Sequence, residues 1–485
     1  MYKVLSELEP NMVFKYFEEI TRIPRGTGNE NAISNYMVEF AKEHNLEVVQ
    51  DKALNIIIRK NGTTGYENNQ TVVLQGHMDM VNVKDIDVEH NFIVDPIKLR
   101  IIDDMIYANG TTLGADNGIA IAYCLAILDS DDIPHPPIEV LLTTEEETGM
   151  DGAMELNVNE IRGSILINMD SEEEGSLLVS CAGGATIIQK LLIDYVEITS
   201  EKVLCSVSII GLKGGHSGAE IDKGRGNAIK LLGRVLNDLY NGVGLLINKL
   251  NGGVKMNAIP CEAYSEIIVD KNDLNKIKNI IYDFNAILRN ELRNTDPDVC
   301  VQFIMSEKKI KQAFSKVCTE KVIESILLIP NGIQSMSRDI DGLVESSTNL
   351  GTVVTENREV CFKSCVRSSI KSLKYAIINQ LKIVSKVLEE EFIIESEYPE
   401  WEYNPESKIR EIFEKVYKQK YNKNPKISAT HGGVECGLII EKKKEIDAIS
   451  FGPNIYDVHT TNEHISITSI KRTWELLINV LKEIE

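Results

Sequence analysis

The segment 75–83 reads QGHMDMVNV and follows the aliphatic run 71–74, TVVL. A strand ending in His77-x-Asp79 sends both side chains to one side, because strand side chains alternate with period two. A neutral imidazole there can ligate a metal, and a carboxylate two residues on can orient the ring. Four further stretches carry residues that a hard or borderline metal takes. Asp116 follows a Gly-rich turn in NGTTLGADNGIAIA, Glu145, Glu146 and Glu147 stand together in TTEEETGMDGA, Asp170 ends LINMD, and His459 lies in GPNIYDVHTTNEH. Each has a plainer reading alone: Asp116 as a helix N-cap, the Glu run and Asp170 as solvated surface, His459 as an ordinary histidine. Together, two histidines and three carboxylates meet the needs of a hydrolytic site with two metals about 3.5–4 Å apart, sharing a bridging carboxylate and a water. Two divalent ions, three carboxylates and one hydroxide are also nearly neutral as a set, so the set can be buried. Nothing converges around His44, His90 or His135, and His464 falls on the apolar alternation of a strand.

The elements that would position these residues alternate between strand and helix. Residues 11–20 and 30–43 have amphipathic helical spacing, separated by the turn TRIPRGTGNE. ALNIIIRK and TVVLQGH read as two strands around the polar turn NGTTGYENN. NGIAIAYCLAILDS reads as a buried helix, and PIEVLLTT and GSILINMD as strands ending in polar or acidic residues. Such alternation gives a largely parallel or mixed sheet with functional groups at the carboxyl ends of its strands. After CAGG, residues 181–184, the texture changes to alternating strands, two long helices (GRGNAIKLLGRVLNDLYNGV and LNKIKNIIYDFNAILRNEL) and a second strand-and-helix set over 299–390. From Glu397 the chain becomes Pro- and Trp-containing and then returns to a helix, SKIREIFEKVYKQKY, and short strands. The expected fold is α/β: a catalytic α/β/α domain with a mixed central sheet, residues 1–184 and 397–485, interrupted by an inserted two-lobed α+β domain, residues 185–396.

At 485 residues, two domains are the natural expectation. A net charge of −21 argues against nucleic-acid or anionic-membrane partners. The N-terminal stretch carries acids early and does not read as a signal peptide, and no apolar run approaches a membrane span. Nine scattered cysteines with no CxxC fit reduced thiols and a cytoplasmic location.

The stretches ITRIPRGTGNE, LQGHMDMV, NGTTLGADNGIA, TTEEETGMDGA, NMDSEEEG, CAGG, GLKGGHSG and HGGVECG resemble, in order and across nearly the whole chain, the M20 metallopeptidase family. Within it they are most similar to the aminoacyl-histidine (Xaa-His) dipeptidase, or peptidase D, branch. The resemblance implies that His77 and Asp170 ligate one metal, Glu147 and His459 the other, and that Asp116 bridges. It implies that Asp79 holds the His77 ring. The family's Glu-Glu-x-Gly pattern falls on Glu146-Glu147-Thr148-Gly149, making Glu146 the general base despite the extra Glu145. His216 in GLKGGHSG would stabilise the oxyanion, supplied by lid closure or from a neighbouring subunit, so the insert would serve as lid or dimerisation domain. Arg367 in CFKSCVRSS would take the substrate carboxylate or else be a surface arginine. Glu435 in HGGVECG would hold the free amino group, and Asn257 in VKMNAIP would touch substrate or only shape its turn. The implied cofactors are two divalent ions, Zn²⁺ above all from the mixed His/carboxylate donors, with Co²⁺ or Mn²⁺ as substitutes.

The implied activity is hydrolysis of dipeptides with a free amino terminus by a metal-bridged hydroxide, with a homodimer as one way of completing the site. Rival readings are an aminoacylase, deacetylase or tripeptidase of the same architecture. A non-catalytic binding protein of this fold is disfavoured because all five ligands and the Glu are present. A two-metal nuclease or phosphatase is disfavoured by the acidic balance and the lack of basic clusters.

Overall fold

The computed structural model describes residues 4–198 and 201–485. Contacts divide the described chain into two compact units: 4–180, 403–429 and 434–485 form one, and 181–198, 201–402 and 430–433 the other. The divisions fall at 180/181 and 402/403 rather than at 184/185 and 396/397. One backbone pairing accounts for both: Cys181 and Trp401 exchange N–H···O bonds at 3.0 and 3.1 Å, so the chain enters and leaves the second unit side by side.

The first unit is built on an eight-stranded mixed sheet. Its strands run in the order Glu47–Gln50, Ile56–Lys60, Ile138–Thr143, Val72–His77, Ile165–Asn168, Asp447–Ser450, Ser176–Cys181 and Lys426–Thr430. The central four, from Ile138–Thr143 to Asp447–Ser450, are parallel. Ile56–Lys60 and Val72–His77, which read as neighbours around a polar turn, are not paired; Ile138–Thr143 lies between them, antiparallel to one and parallel to the other. Parallel strands need covered faces and read as continuous apolar runs, and Val72–His77 and Ile138–Thr143 are buried at every residue. The helix Ala115–Leu128 is buried at every position except Asp116. It packs against Asn11–Ile20 and Val72–His77, as a helix apolar all round must.

The second unit carries a nine-stranded antiparallel sheet with the helices Ala228–Val243, Leu274–Glu291, Lys316–Leu328 and Lys371–Leu388 packed on one continuous apolar core. Its halves meet at one backbone pair, Gly252 with Val353. Side chains replace the missing ladder. Asn349 Nδ2 donates to the carbonyls of Met256 and Ala258 at 3.1 and 2.8 Å. Thr355 N donates to Asn251 Oδ1, and Leu250 N to Thr355 Oγ1. Asn227 Nδ2 donates to Leu350 O at 3.0 Å.

Asn349→Ala should therefore loosen this seam. Stripping two carbonyls of their donor should cost about 1–3 kcal/mol, read as faster amide hydrogen exchange over residues 252–258.

Candidate metal centre

Each acidic or His station stands where a strand or loop ends in the first unit. His77 closes Val72–His77 and is 1% exposed. Its Nε2 lies 3.1 Å from Asp116 Oδ1 and 3.4 Å from Asp170 Oδ1, and its Nδ1 3.3 Å from Asp79 Oδ1. The ring's two nitrogens thus face different duties: Nδ1 toward an orienting carboxylate, Nε2 toward the cluster. Asp116 turns its other oxygen to His459, Oδ2 to Nε2 at 3.3 Å, and Glu147 Oε2 lies 2.9 Å from the same nitrogen. Asp116 therefore stands between the two imidazoles with one oxygen for each. It does not cap its helix; Gly114, at φ 69°, occupies the N-cap position.

Three sets of side chains lie close enough to share an ion: His77, Asp116 and Asp170; His77, Glu146 and Glu147; Asp116, Glu147 and His459. Buried oxygens Glu147 Oε1 and Asp170 Oδ1 have no hydrogen-bond donor, a costly state unless something cationic meets them. The electrostatics agree. Burial and the neighbouring Asp170, Glu435 and Glu147 charges push the Glu146 carboxyl up to about 9. Burial, with Asp116 and Glu147 adding, pushes Asp170 up to about 6. Hydrogen bonds to Asp116 and Glu147 raise His459 to about 10. The set lacks positive charge, and its donors, imidazole and carboxylate, are those of a zinc-type centre.

Asp79 does more than face His77. It is wholly buried, and its two oxygens accept the N–H groups of Glu146 at 3.1 Å and Glu147 at 3.3 Å and the Thr27 hydroxyl at 2.9 Å. It holds both the ring and the turn that carries the two glutamates. That turn is pinched between left-handed residues, Glu145 at φ 53° and Met150 at φ 61°.

Two residues outside the expected set hold the frame. Arg25, 2% exposed, donates to the carbonyls of Met78, Asp79 and Gly114, tying the loop after His77 to the loop before Asp116. Glu463, 3% exposed, accepts the N–H groups of Leu113, Gly114 and Ala115 at 2.8–3.0 Å and of Asp116 at 3.4 Å. Both lie in stretches that carry other signals, Arg25 in ITRIPRGTGNE and Glu463 in GPNIYDVHTTNEH, and neither has a spacing signal of its own.

Glu435 opens the helix Glu435–Lys442 and is wholly buried. Its Oε2 accepts from Gln75 at 2.6 Å and Thr143 at 2.8 Å, and Oε1 is enclosed without a donor. Burial raises the carboxyl to about 7. Through Oε2 Glu435 braces Gln75 and Thr143 beside the cluster, and its Oε1 stands unmet, like Glu147 Oε1 and Asp170 Oδ1.

The remaining expected residues belong to the second unit. His216 pairs through Gly215–His216 with Ala258–Ile259. Its Nδ1 accepts from the N–H groups of Gly218 and Ala219 at 3.2 and 3.0 Å. The neutral ring must then carry its proton on Nε2. Burial, with the Arg367 charge adding, lowers its pKa, favouring that neutral donor. Asn257 offers its carbonyl to Ser217 N at 2.9 Å, so its backbone shapes the His216 turn. Arg367 is 8% exposed, not a surface arginine.

Residues 73–483 match the peptidase family M20/M25/M40, and the chain belongs to that family. It is 38% identical over 480 residues, 99% of each chain, to the cytosol non-specific dipeptidase of Escherichia coli. Among solved structures, the aminoacylhistidine dipeptidase of Vibrio alginolyticus is 36% identical, with a TM-score of 0.95 over 99% of this chain and 98% of that one. A tripeptidase from Staphylococcus aureus, 18% identical with a TM-score of 0.54 over 98% of both chains, shares the fold.

Glu463→Ala frees four amides beside Asp116. It should weaken metal binding about 10- to 100-fold, measured by titration of the chelator-stripped protein.

Proposed function

We propose that this chain is a metal-dependent dipeptidase, cleaving dipeptides with a free amino terminus, Xaa-His among a broader set. The observation that carries the reading is the convergence of His77, Asp116, Glu147, Asp170 and His459 on one cluster beside Glu146. The likeness over 99% of both chains to a protein described as a cytosol non-specific dipeptidase supports the substrate class. It also supports a cytoplasmic location. Among the described residues no helix is long and apolar enough to cross a membrane.

In this reading His77 and Asp170 would hold one divalent ion and Glu147 and His459 the other, with Asp116 between them available to both. Zinc is the proposed metal, with cobalt or manganese as substitutes. When bound, such ions supply Lewis acidity, making a water easier to deprotonate and a carbonyl easier to attack. Glu146 takes the proton of the attacking water and passes it to the leaving amine. A carboxyl enclosed among other acids holds that proton longer than an exposed one would. His216, its Nδ1 occupied by two amides, offers Nε2–H to the developing oxyanion. Arg367 takes the substrate carboxylate. Asn257 steadies the His216 turn through its carbonyl, and its side chain is a candidate substrate contact. A second copy of the chain is a proposed partner.

Glu146→Gln should lower kcat by at least about a thousandfold while metal content, by mass spectrometry of the purified protein, stays at the wild-type value. Wild-type activity in that variant would remove Glu146 as the base. Chelation should abolish activity and zinc should restore it. In a panel of dipeptides, tripeptides and N-acyl amino acids, dipeptides should be the best substrates. Turnover of N-acyl amino acids without dipeptide cleavage would instead make the chain an aminoacylase.

A further inference from the structure

The motif CAGG has no part in the hydrolysis described above, yet its second glycine stands at a telling place in the second unit. In the strand Gly183–Leu192, Gly184 is paired with Arg367 of Glu359–Ser368 on one side and with Tyr398 of Glu391–Tyr398 on the other. Neighbouring strands lie roughly 4.8 Å apart, so Arg367 and Tyr398 are separated by two such spacings, with Gly184 in the path. Tyr398 crosses that path. Its hydroxyl accepts a hydrogen bond from Arg367 Nη1 at 3.0 Å. A Cβ at Gly184 would collide with the Tyr398 ring and hydroxyl, and one at Gly183 with the backbone of Glu400. The two glycines are a bare track on which the segment 398–400 lies.

The contacts of the guanidinium are one-sided. Nη1 also donates to the carbonyl of His431 at 3.3 Å. That carbonyl is fixed in turn, because His431 is buried and its Nε2 bonds the Ser347 hydroxyl at 2.7 Å. Nε, on the opposite edge, is buried and has no partner. Among the described residues no carboxylate lies within ion-pair distance of Arg367. A buried guanidinium with no anion and a vacant Nε–Nη2 edge has the donor fork that a carboxylate takes side-on with two parallel bonds.

We propose that Tyr398 is a positioning residue. It engages Nη1 across Gly184 and so turns the free edge of Arg367 toward the substrate's terminal carboxylate. The proposal rests on the reading of Arg367 as the carboxylate-binding group. It assigns Tyr398 and Gly184 to selection for a free C-terminus, and so to the discrimination between a dipeptide and the same dipeptide blocked as its amide.

The test is Tyr398→Phe in the full-length, metal-loaded enzyme, assayed on one dipeptide and its C-terminal amide. KM for the free dipeptide should rise about tenfold with kcat within about twofold. The ratio of kcat/KM for acid over amide should fall about tenfold, as loss of one hydrogen bond to a charged group produces. Gly184→Ala, which displaces the ring but keeps the hydroxyl, should give the same split. Arg367→Lys is run in parallel. If it leaves the acid-to-amide ratio intact, the reading of Arg367 is wrong and the proposal falls with it. If Arg367→Lys collapses the ratio while Tyr398→Phe keeps the wild-type KM and ratio, Tyr398 alone is misassigned. Equal losses on acid and amide, with a lowered thermal midpoint, would make Tyr398 a packing residue and also overturn the proposal.

Discussion

Mutual repulsion among buried carboxylates is the constraint around which the first unit is organised. Asp79, Asp116, Glu146, Glu147 and Asp170 stand close together and largely shielded from solvent, and like charges in such surroundings oppose folding unless each is held. The holding is done by backbone. Asp79 is fixed by the amides of Glu146 and Glu147, and the Asp116 loop is fixed by Glu463 through four of its own amides. Arg25 contributes a permanent charge at the centre without pairing any ligand, since its donors go to three carbonyls. The ligand oxygens are thereby left free of strong protein donors. A preformed metal centre needs that combination: rigid support behind the ligands and unmet demand in front of them.

Much of this was legible in the residues. The helices Asn11–Ile20 and Asn31–Glu43, the buried helix Ala115–Leu128 and the strands leading to His77, Thr143 and Asn168 follow from local periodicity and flanking Gly and Pro. What periodicity cannot state is which strand lies beside which. Ile56–Lys60 and Val72–His77 are adjacent in the chain, yet a strand more than sixty residues later separates them, because parallel pairing is decided by the whole sheet. The roles of the supporting residues were not legible for a related reason, although both lie in stretches that carry other signals. Arg25 and Glu463 act on loops far from them in sequence, and a lone Arg or Glu has no pattern to betray it.

The second unit solves a different problem, presenting hydrogen-bond donors without a positive cluster. His216 is kept neutral by two amides on Nδ1, which makes it a donor at Nε2 over the pH range in which an imidazolium would compete. Arg367 is always charged, but its single carbonyl and hydroxyl partners leave it uncompensated. A neutral donor and a guanidinium with no protein anion suit an oxyanion and a carboxylate respectively.

The seam at Gly252 and Val353 gives the two halves of that sheet a further meaning. His216 lies outside that sheet, on the two-stranded ribbon with Ala258–Ile259, and Arg367 lies on the strand Glu359–Ser368 after the seam. Their separation is therefore a length set in part by Asn349, which ties the ribbon's Ala258 to the strand Val344–Glu356 that pairs with Arg367's. Under the proposed roles that length is a ruler, running from the carbonyl being cleaved to the end of the peptide.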